Sequence, residues 1–157
     1  MRGSLTGFLS DTPVIHQIRR TAIVGRSDAQ MFALVNDVEA YPRRFKWCVS
    51  AQVSDRSETA LTARMEMRVG GMTQAFTTRN TLAPPESIAM QLVDGPFRML
   101  SGTWTFTALG ETGCKVALAL DFEYAGRLMA PIMRLGFEKL ADRLVDEFCL
   151  EAVRHDG

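Results

Sequence analysis

Two carboxylates, Asp121 and Glu123, stand two residues apart in LDFEY, a spacing that puts both side chains on one face of a strand. Paired carboxylates can do general acid–base work. Here the alternation gives Phe122 and Tyr124 the inward face and leaves both acids pointing to solvent. Asp94, in Asp94-Gly95-Pro96, has two readings: a turn-opening aspartate bonded to its own backbone, or a ligand contact at the mouth of a site. The two histidines, His16 and His155, sit near opposite ends, and Cys48, Cys114 and Cys149 are scattered without a C-x-x-C pair. Neither set has metal-ligand spacing, and dispersed cysteines in odd number suit packing thiols in a reducing compartment. No G-x-S-x-G elbow or phosphate loop is present, and no nucleophile, base and orienting group assemble. Arg43, Arg44 and Lys46 fall within one turn, and Arg98 follows the Asp-Gly-Pro turn. Such a basic group either solvates a surface or meets an anionic partner.

The elements that must position these residues are legible from hydrophobic period. Ile15–Val24 reads as a first strand. Ser27 offers an N-cap to a helix whose Met31, Leu34, Val35 and Val38 share one face, and Pro42 opens a second short helix or turn. A long β section follows, of about six consecutive antiparallel strands. In ALTARMEMRV, Leu61, Ala63, Met65, Met67 and Val69 alternate with Thr62, Arg64, Glu66 and Arg68. Gly70-Gly71 supplies a hairpin turn into Met72–Leu82, and Pro84–Ser87 turns the chain toward Ile88, Met90 and Leu92. Trp104, Phe106 and Ala108 form the next inward face, then Val116, Leu118, Leu120, Phe122 and Tyr124. From Arg127 to about Arg154 the period changes to three and four. Met129, Ile132, Met133, Phe137, Leu140, Leu144, Val145, Phe148 and Cys149 trace the stripe of one long helix. Pro131 belongs in its first turn, and Gly136 marks a kink or a close approach. Strands with one apolar face followed by one long amphipathic helix make an α+β fold, a twisted antiparallel sheet wrapped around that helix.

The 157 residues suffice for one domain, 14–157, behind a flexible lead-in at 1–13. Eighteen basic residues balance eighteen acidic ones, so no overall field draws the chain to DNA. No stretch approaches a membrane span, and the N-terminal residues lack a signal peptide's apolar core, which places the protein in the cytoplasm.

The nine methionines are the unusual feature, since several lie on inward strand faces or the helix stripe. Their flexible, polarizable side chains suit either an irregular core or a cavity for apolar ligands of varied shape. A cavity walled by Met65, Met67, Phe76, Met90, Trp104, Phe122, Met129, Met133 and Phe137, with Phe97 at its rim, would suit an isoprenoid or acyl chain. Burying about 300 Å² of such a chain supplies roughly 7 kcal/mol before ordering costs.

The segments FALVNDVEAYPRRFKWC, FTTRNTL and LVDGPFRMLSGTWTF, with LDFEY and the long C-terminal helix, resemble the START-like coenzyme-Q-binding family, which includes RatA-type ribosome-association toxin proteins. The resemblance spans residues 14–154 and implies a helix-grip fold. It implies a cavity that holds ubiquinone or a related lipid in support of respiration, without a resident cofactor. On its RatA side it implies binding to the large ribosomal subunit and a block to subunit association. The basic residues Arg43, Arg44, Lys46 and Arg98 are the partner surface that the charge pattern offers for that reading. It places Val38–Pro42 over the cavity, Phe76–Asn80 on a cavity strand and Asp94–Phe97 at the rim. Transient contact with the periphery of the inner membrane would accompany lipid exchange. A third reading is a polyketide cyclase/aromatase-type enzyme, which needs acid–base groups inside the cavity. The outward placement of Asp121 and Glu123 counts against it.

Overall fold

The computed structural model describes residues 14–155. The expected lead-in at 1–13 lies outside the described residues.

Ser27 ends the first strand's exit loop and starts the first helix through a capping box. Its hydroxyl accepts from the Gln30 backbone N–H at 3.1 Å, and the Gln30 side chain accepts from the Ser27 N–H at 2.8 Å. Strand β1 therefore runs His16–Val24 and helix α1 runs Asp28–Asn36. A 3-10 turn at Val38–Ala40 leads into the four-residue helix α2, Tyr41–Arg44, with Pro42 in its first turn.

Six strands follow: β2 Cys48–Ser54, β3 Ala60–Val69, β4 Met72–Ala83, β5 Ser87–Asp94, β6 Phe97–Leu109 and β7 Gly113–Tyr124. Consecutive strands pair antiparallel, and β1 closes against β7, giving one sheet in the order β1-β7-β6-β5-β4-β3-β2. Gly70 and Gly71, with φ of 57° and 77°, make the two-residue turn between β3 and β4, which only residues tolerant of left-handed backbone allow. The alternation holds strand by strand: Val116, Leu118, Leu120, Phe122 and Tyr124 are all buried, as are Leu61, Ala63, Met67 and Val69. Ala108 departs from its face and is exposed.

The long helix α3 runs Pro131–His155 and lies in the concave face of the sheet. It starts later than the periodicity suggests. Met129 sits in the preceding loop, buried to 2 % exposure, and Ile132, expected on the buried stripe, is 60 % exposed. The sequence period continues through Ile132, but the helix's first turn overhangs the sheet. Gly136 marks a close approach. A Cβ there would run into the backbone of Gly70 and Val69, so the missing side chain lets α3 rest directly on the β3–β4 hairpin.

Candidate functional site

Between α3 and the concave face a small cavity of about 80 Å³ remains. Its walls are the inward faces of β3 and β4, Met90 of β5, Leu100 and Trp104 of β6, and Phe137, Leu144 and Phe148 of α3, with Val38 and Tyr41 over one end. Gly102 helps shape it, since a Cβ there would press to 2.8 Å on the Met90 Cε and 2.9 Å on a Leu120 methyl.

Of the ten contacts expected from sequence, Met65, Met67, Phe76, Met90, Trp104 and Phe137 line this space. Phe97, Phe122, Met129 and Met133 do not. Phe97 is a plug rather than a rim. It is 5 % exposed, and its ring lies 5.1 Å from Phe137, 6.0 Å from Phe122 and 6.2 Å from Phe76. Phe122 and Phe137 stand edge to face at 5.1 Å, so these rings close the cavity toward the start of α3. Edge-to-face rings at such spacings attract beyond their buried area. Met129 and Met133 pack in the core as ordinary buried side chains.

The resemblance puts Phe76–Asn80 on a cavity strand, but the polar pair within it is not among the contacts expected from sequence. Thr78 and Asn80 are 3 % and 5 % exposed, both line the cavity, and the Thr78 hydroxyl donates to the Asn80 amide oxygen at 2.8 Å. Their parity with Phe76 and Leu82 was the available signal. Buried polar groups of this kind fix the orientation of whatever polar atom enters beside them.

The lining holds no carboxylate, histidine, lysine or cysteine among the described residues. Its one titratable group, Tyr41, donates its hydroxyl to the Val35 carbonyl, and burial raises its pKa, with Cys48 and Asp37 adding to the shift. A buried phenol already engaged with backbone is a poor proton carrier at neutral pH. Tyr124 is also held protonated, by burial first and then by Glu138, whose carboxylate accepts its hydroxyl at 2.7 Å. Asp121 and Glu123 face outward as expected, paired with Arg19 at 2.8 Å and Arg98 at 3.2 Å. His16 stacks on Phe122 at 5.1 Å. Asp94 is exposed at the β5–β6 turn.

The basic residues expected to act together are separated. Arg43 and Lys46 are exposed, but Arg44 turns inward, with 12 % of its side chain exposed, toward Asp37 at 3.5 Å and Glu151 at 3.8 Å. Arg98 follows Phe97, which begins β6 opposite Tyr124, and the Tyr124 hydroxyl reaches Glu138 and lies 3.1 Å from the Arg134 carbonyl. From Arg134 to Glu151 the helix spans about 25 Å at 1.5 Å per residue. Arg98 and the Arg43–Lys46 turn therefore belong to different regions. An open cleft of about 310 Å³ lies between α1 and the end of α3, bounded in part by Asp37 and Arg44.

A family profile described as polyketide cyclase / dehydrase and lipid transport matches residues 24–149. The chain belongs to that family. Within the polyketide cyclase and lipid-transport family it is 43 % identical over 135 residues to the ribosome association toxin RatA of Pseudomonas aeruginosa, covering 86 % of this chain and 94 % of the relative. It is 39 % identical to the RatA of Escherichia coli, covering 93 % and 92 % of the two chains. The mitochondrial coenzyme Q-binding protein of Drosophila melanogaster is more distant, at 24 % identity over 86 % of this chain and 57 % of that protein. Among solved structures, a Streptomyces aromatase/cyclase superposes with a TM-score of 0.79 at 19 % identity, covering 92 % of this chain and 97 % of that one. That likeness shows the shared helix-grip fold. Among the described helices none is long and apolar enough to cross a membrane.

Proposed function

We propose that this chain associates with the ribosome by binding its large subunit and obstructing subunit association. The observation that carries this reading is the 43 % identity to a ribosome association toxin across 94 % of that relative's length. The resemblance implies a ubiquinone carrier as well as ribosome association, and two observations favour the latter. The coenzyme-Q-binding relative is more distant and matches over a smaller share of its length. The cavity is the second. At about 80 Å³ it has room for two or three waters, whereas ligand pockets run to several hundred Å³.

The test is sedimentation through a density gradient with purified large and small subunits. The chain is expected to travel with the large subunit and to lower the yield of joined ribosomes. A chain that stays at the top of the gradient overturns the reading.

Binding of a hydrophobic molecule is the second reading, supported by the Thr78–Asn80 pair set in an otherwise apolar lining. It requires the Phe97 and Phe137 rings to swing aside and enlarge the cavity. Mass spectrometry of an organic extract from protein purified without detergent tests it, and a stoichiometric lipid or quinone is the supporting result. Acid–base catalysis finds no support in the lining described above.

A further inference from the structure

The formal net charge is zero, yet the charges are unevenly consumed. Along β1 and β6 each arginine has an acidic partner: outward Arg19 with Asp121, Arg20 on the helix-facing side with Asp142, and Arg98 with Glu123, while Lys115 on β7 is exposed without an ion pair among the described residues. At the opposite edge the pattern changes. Arg43 and Lys46, beside β2, and Arg64 and Arg68, outward on β3, are exposed and make no ion pair among the described residues. The fold brings these four cations onto one side of the molecule. The Arg68 N–H donates to the Trp47 carbonyl at 2.8 Å, which sets the Arg43–Trp47 segment directly beside the end of β3. Arg64 and Arg68 share a face of the strand about 13 Å apart, at 3.3 Å per residue. On β4, Arg79 adds a fifth cation, hydrogen-bonded to the neutral Thr62 hydroxyl at 3.0 Å and the Asp55 carbonyl at 3.1 Å. Glu66, the acid between Arg64 and Arg68, accepts from the Ser50 hydroxyl at 2.6 Å.

We infer that this α2–β3 edge is the surface that meets ribosomal RNA, through its backbone phosphates. The inference rests on the ribosome reading and deepens it by naming the surface and the chemistry of the partner. Unpaired exposed cations need not surrender an internal ion pair to bind phosphate, whereas Arg19, Arg20 and Arg98 would have to. Arg44 stands in the same turn as Arg43 but is committed to Asp37 and Glu151, so it lies outside the surface. Phosphate contacts release counterions, so binding through this edge must weaken steeply with salt.

The experiment compares wild type, the triple variant Arg43→Glu/Lys46→Glu/Arg68→Glu, and the control Arg98→Glu, each pelleted with purified large subunits across a salt series. All changed residues are exposed, and a thermal melt establishes that each variant is folded. Wild type and Arg98→Glu are expected to bind alike. Losing three phosphate contacts lowers the salt slope by about 2–3, which corresponds to roughly 20–40-fold over the range from about 50 to 200 mM salt. The triple variant should therefore bind at least tenfold more weakly than wild type at the low-salt end.

If wild type binds and the folded triple variant binds equally well, the edge is not the interface, while the ribosome reading stands. Wild-type binding that ignores salt overturns the inference too, because the contact is then not to phosphate. If Arg98→Glu loses as much as the triple variant, general charge rather than this edge is responsible. If wild type fails to pellet with the subunit, the ribosome reading falls and takes this inference with it.

Discussion

Helix α3 is held on its two sides by different means. Toward β1 and β7 the contacts are polar: Tyr124 donates to Glu138 at 2.7 Å, Arg20 pairs with Asp142, and the Arg134 guanidinium lies 4.6 Å over the Tyr124 ring. Toward β3 the helix backbone rests on the hairpin at Gly136, and aromatic rings fill the space beyond. The side that binds α3 through charge engages its arginines in ion pairs, and the side that binds it through backbone contact leaves Arg64 and Arg68 exposed without acidic partners among the described residues. A composition with no net charge can therefore still present one strongly basic edge.

The largest test of this contrast lies at the backbone contact. In Gly136→Ala the new methyl meets Gly70 backbone, which has no flexible end to move aside. The helix must lift from the hairpin, at an expected cost of about 1–3 kcal/mol. Urea denaturation measures it. A variant as stable as wild type would mean that α3 can slide on β3 without loss, and that the polar side alone sets its position.

Next in size is the pair of neighbouring arginines in α2. Removing Arg44 leaves Glu151, 8 % exposed, with only the exposed Arg154 guanidinium at 3.8 Å as its cationic partner. The ion pair is loose and the Arg154 contact survives, so Arg44→Ala is expected to cost about 1–2 kcal/mol, below the range for a tight buried pair. Arg43→Ala, one residue away and exposed, should change stability by less than about 0.5 kcal/mol. Equal effects in the two unfolding curves would erase the distinction between a committed and an available arginine. On the polar side, Tyr124→Phe removes one hydrogen bond to a carboxylate that can turn toward water. About 1 kcal/mol is expected in the same assay.

Much of this architecture was legible in residue order because a strand's two faces differ by parity alone. Leu61 to Val69 and Val116 to Tyr124 announced their inward faces, and Ser27 with Gln30 announced a helix start. The candidate site was legible only in part. Met65, Met67, Phe76, Met90, Trp104 and Phe137 do line the cavity, but its small volume depends on how the Phe97, Phe122 and Phe137 rings tilt together. Side-chain packing of that kind has no period. Thr78 and Asn80 share parity with Phe76 on a strand expected to wall the cavity, yet their polar side chains give no hydrophobic signal that marks them as lining it. Ile132 shows the converse failure, an apolar residue in phase with the stripe but beyond the sheet that would have covered it. The separation of Arg43 from Arg44 needed the Glu151 end of α3, more than a hundred residues along the chain.

The smallest effect is silent at neutral pH and reads the two sides through their thiols. Cys48 begins β2 beside the basic edge, and Cys149 lies on α3, where Asp146 and Cys114 are the charges that act on it. Burial pushes both thiols up to about 11 from an ordinary value of 9.0, with Asp146 and then Cys114 adding to the effect at Cys149. The folded chain thus keeps protons that the unfolded chain releases. Stability present below pH 9 is lost as pH rises through 11, because unfolding then gains from thiolate formation. Arg43 and Lys46 stand a few residues before Cys48, yet burial rather than either cation governs its titration. Titrating thiolate absorbance in the single-cysteine variants Cys114→Ala/Cys149→Ala and Cys48→Ala/Cys114→Ala should give midpoints near 11 for both. A Cys48 midpoint at or below 9 would mean that the basic edge turns its field inward. The free cations would then be holding the fold together, and the contrast between the two sides of α3 would be lost.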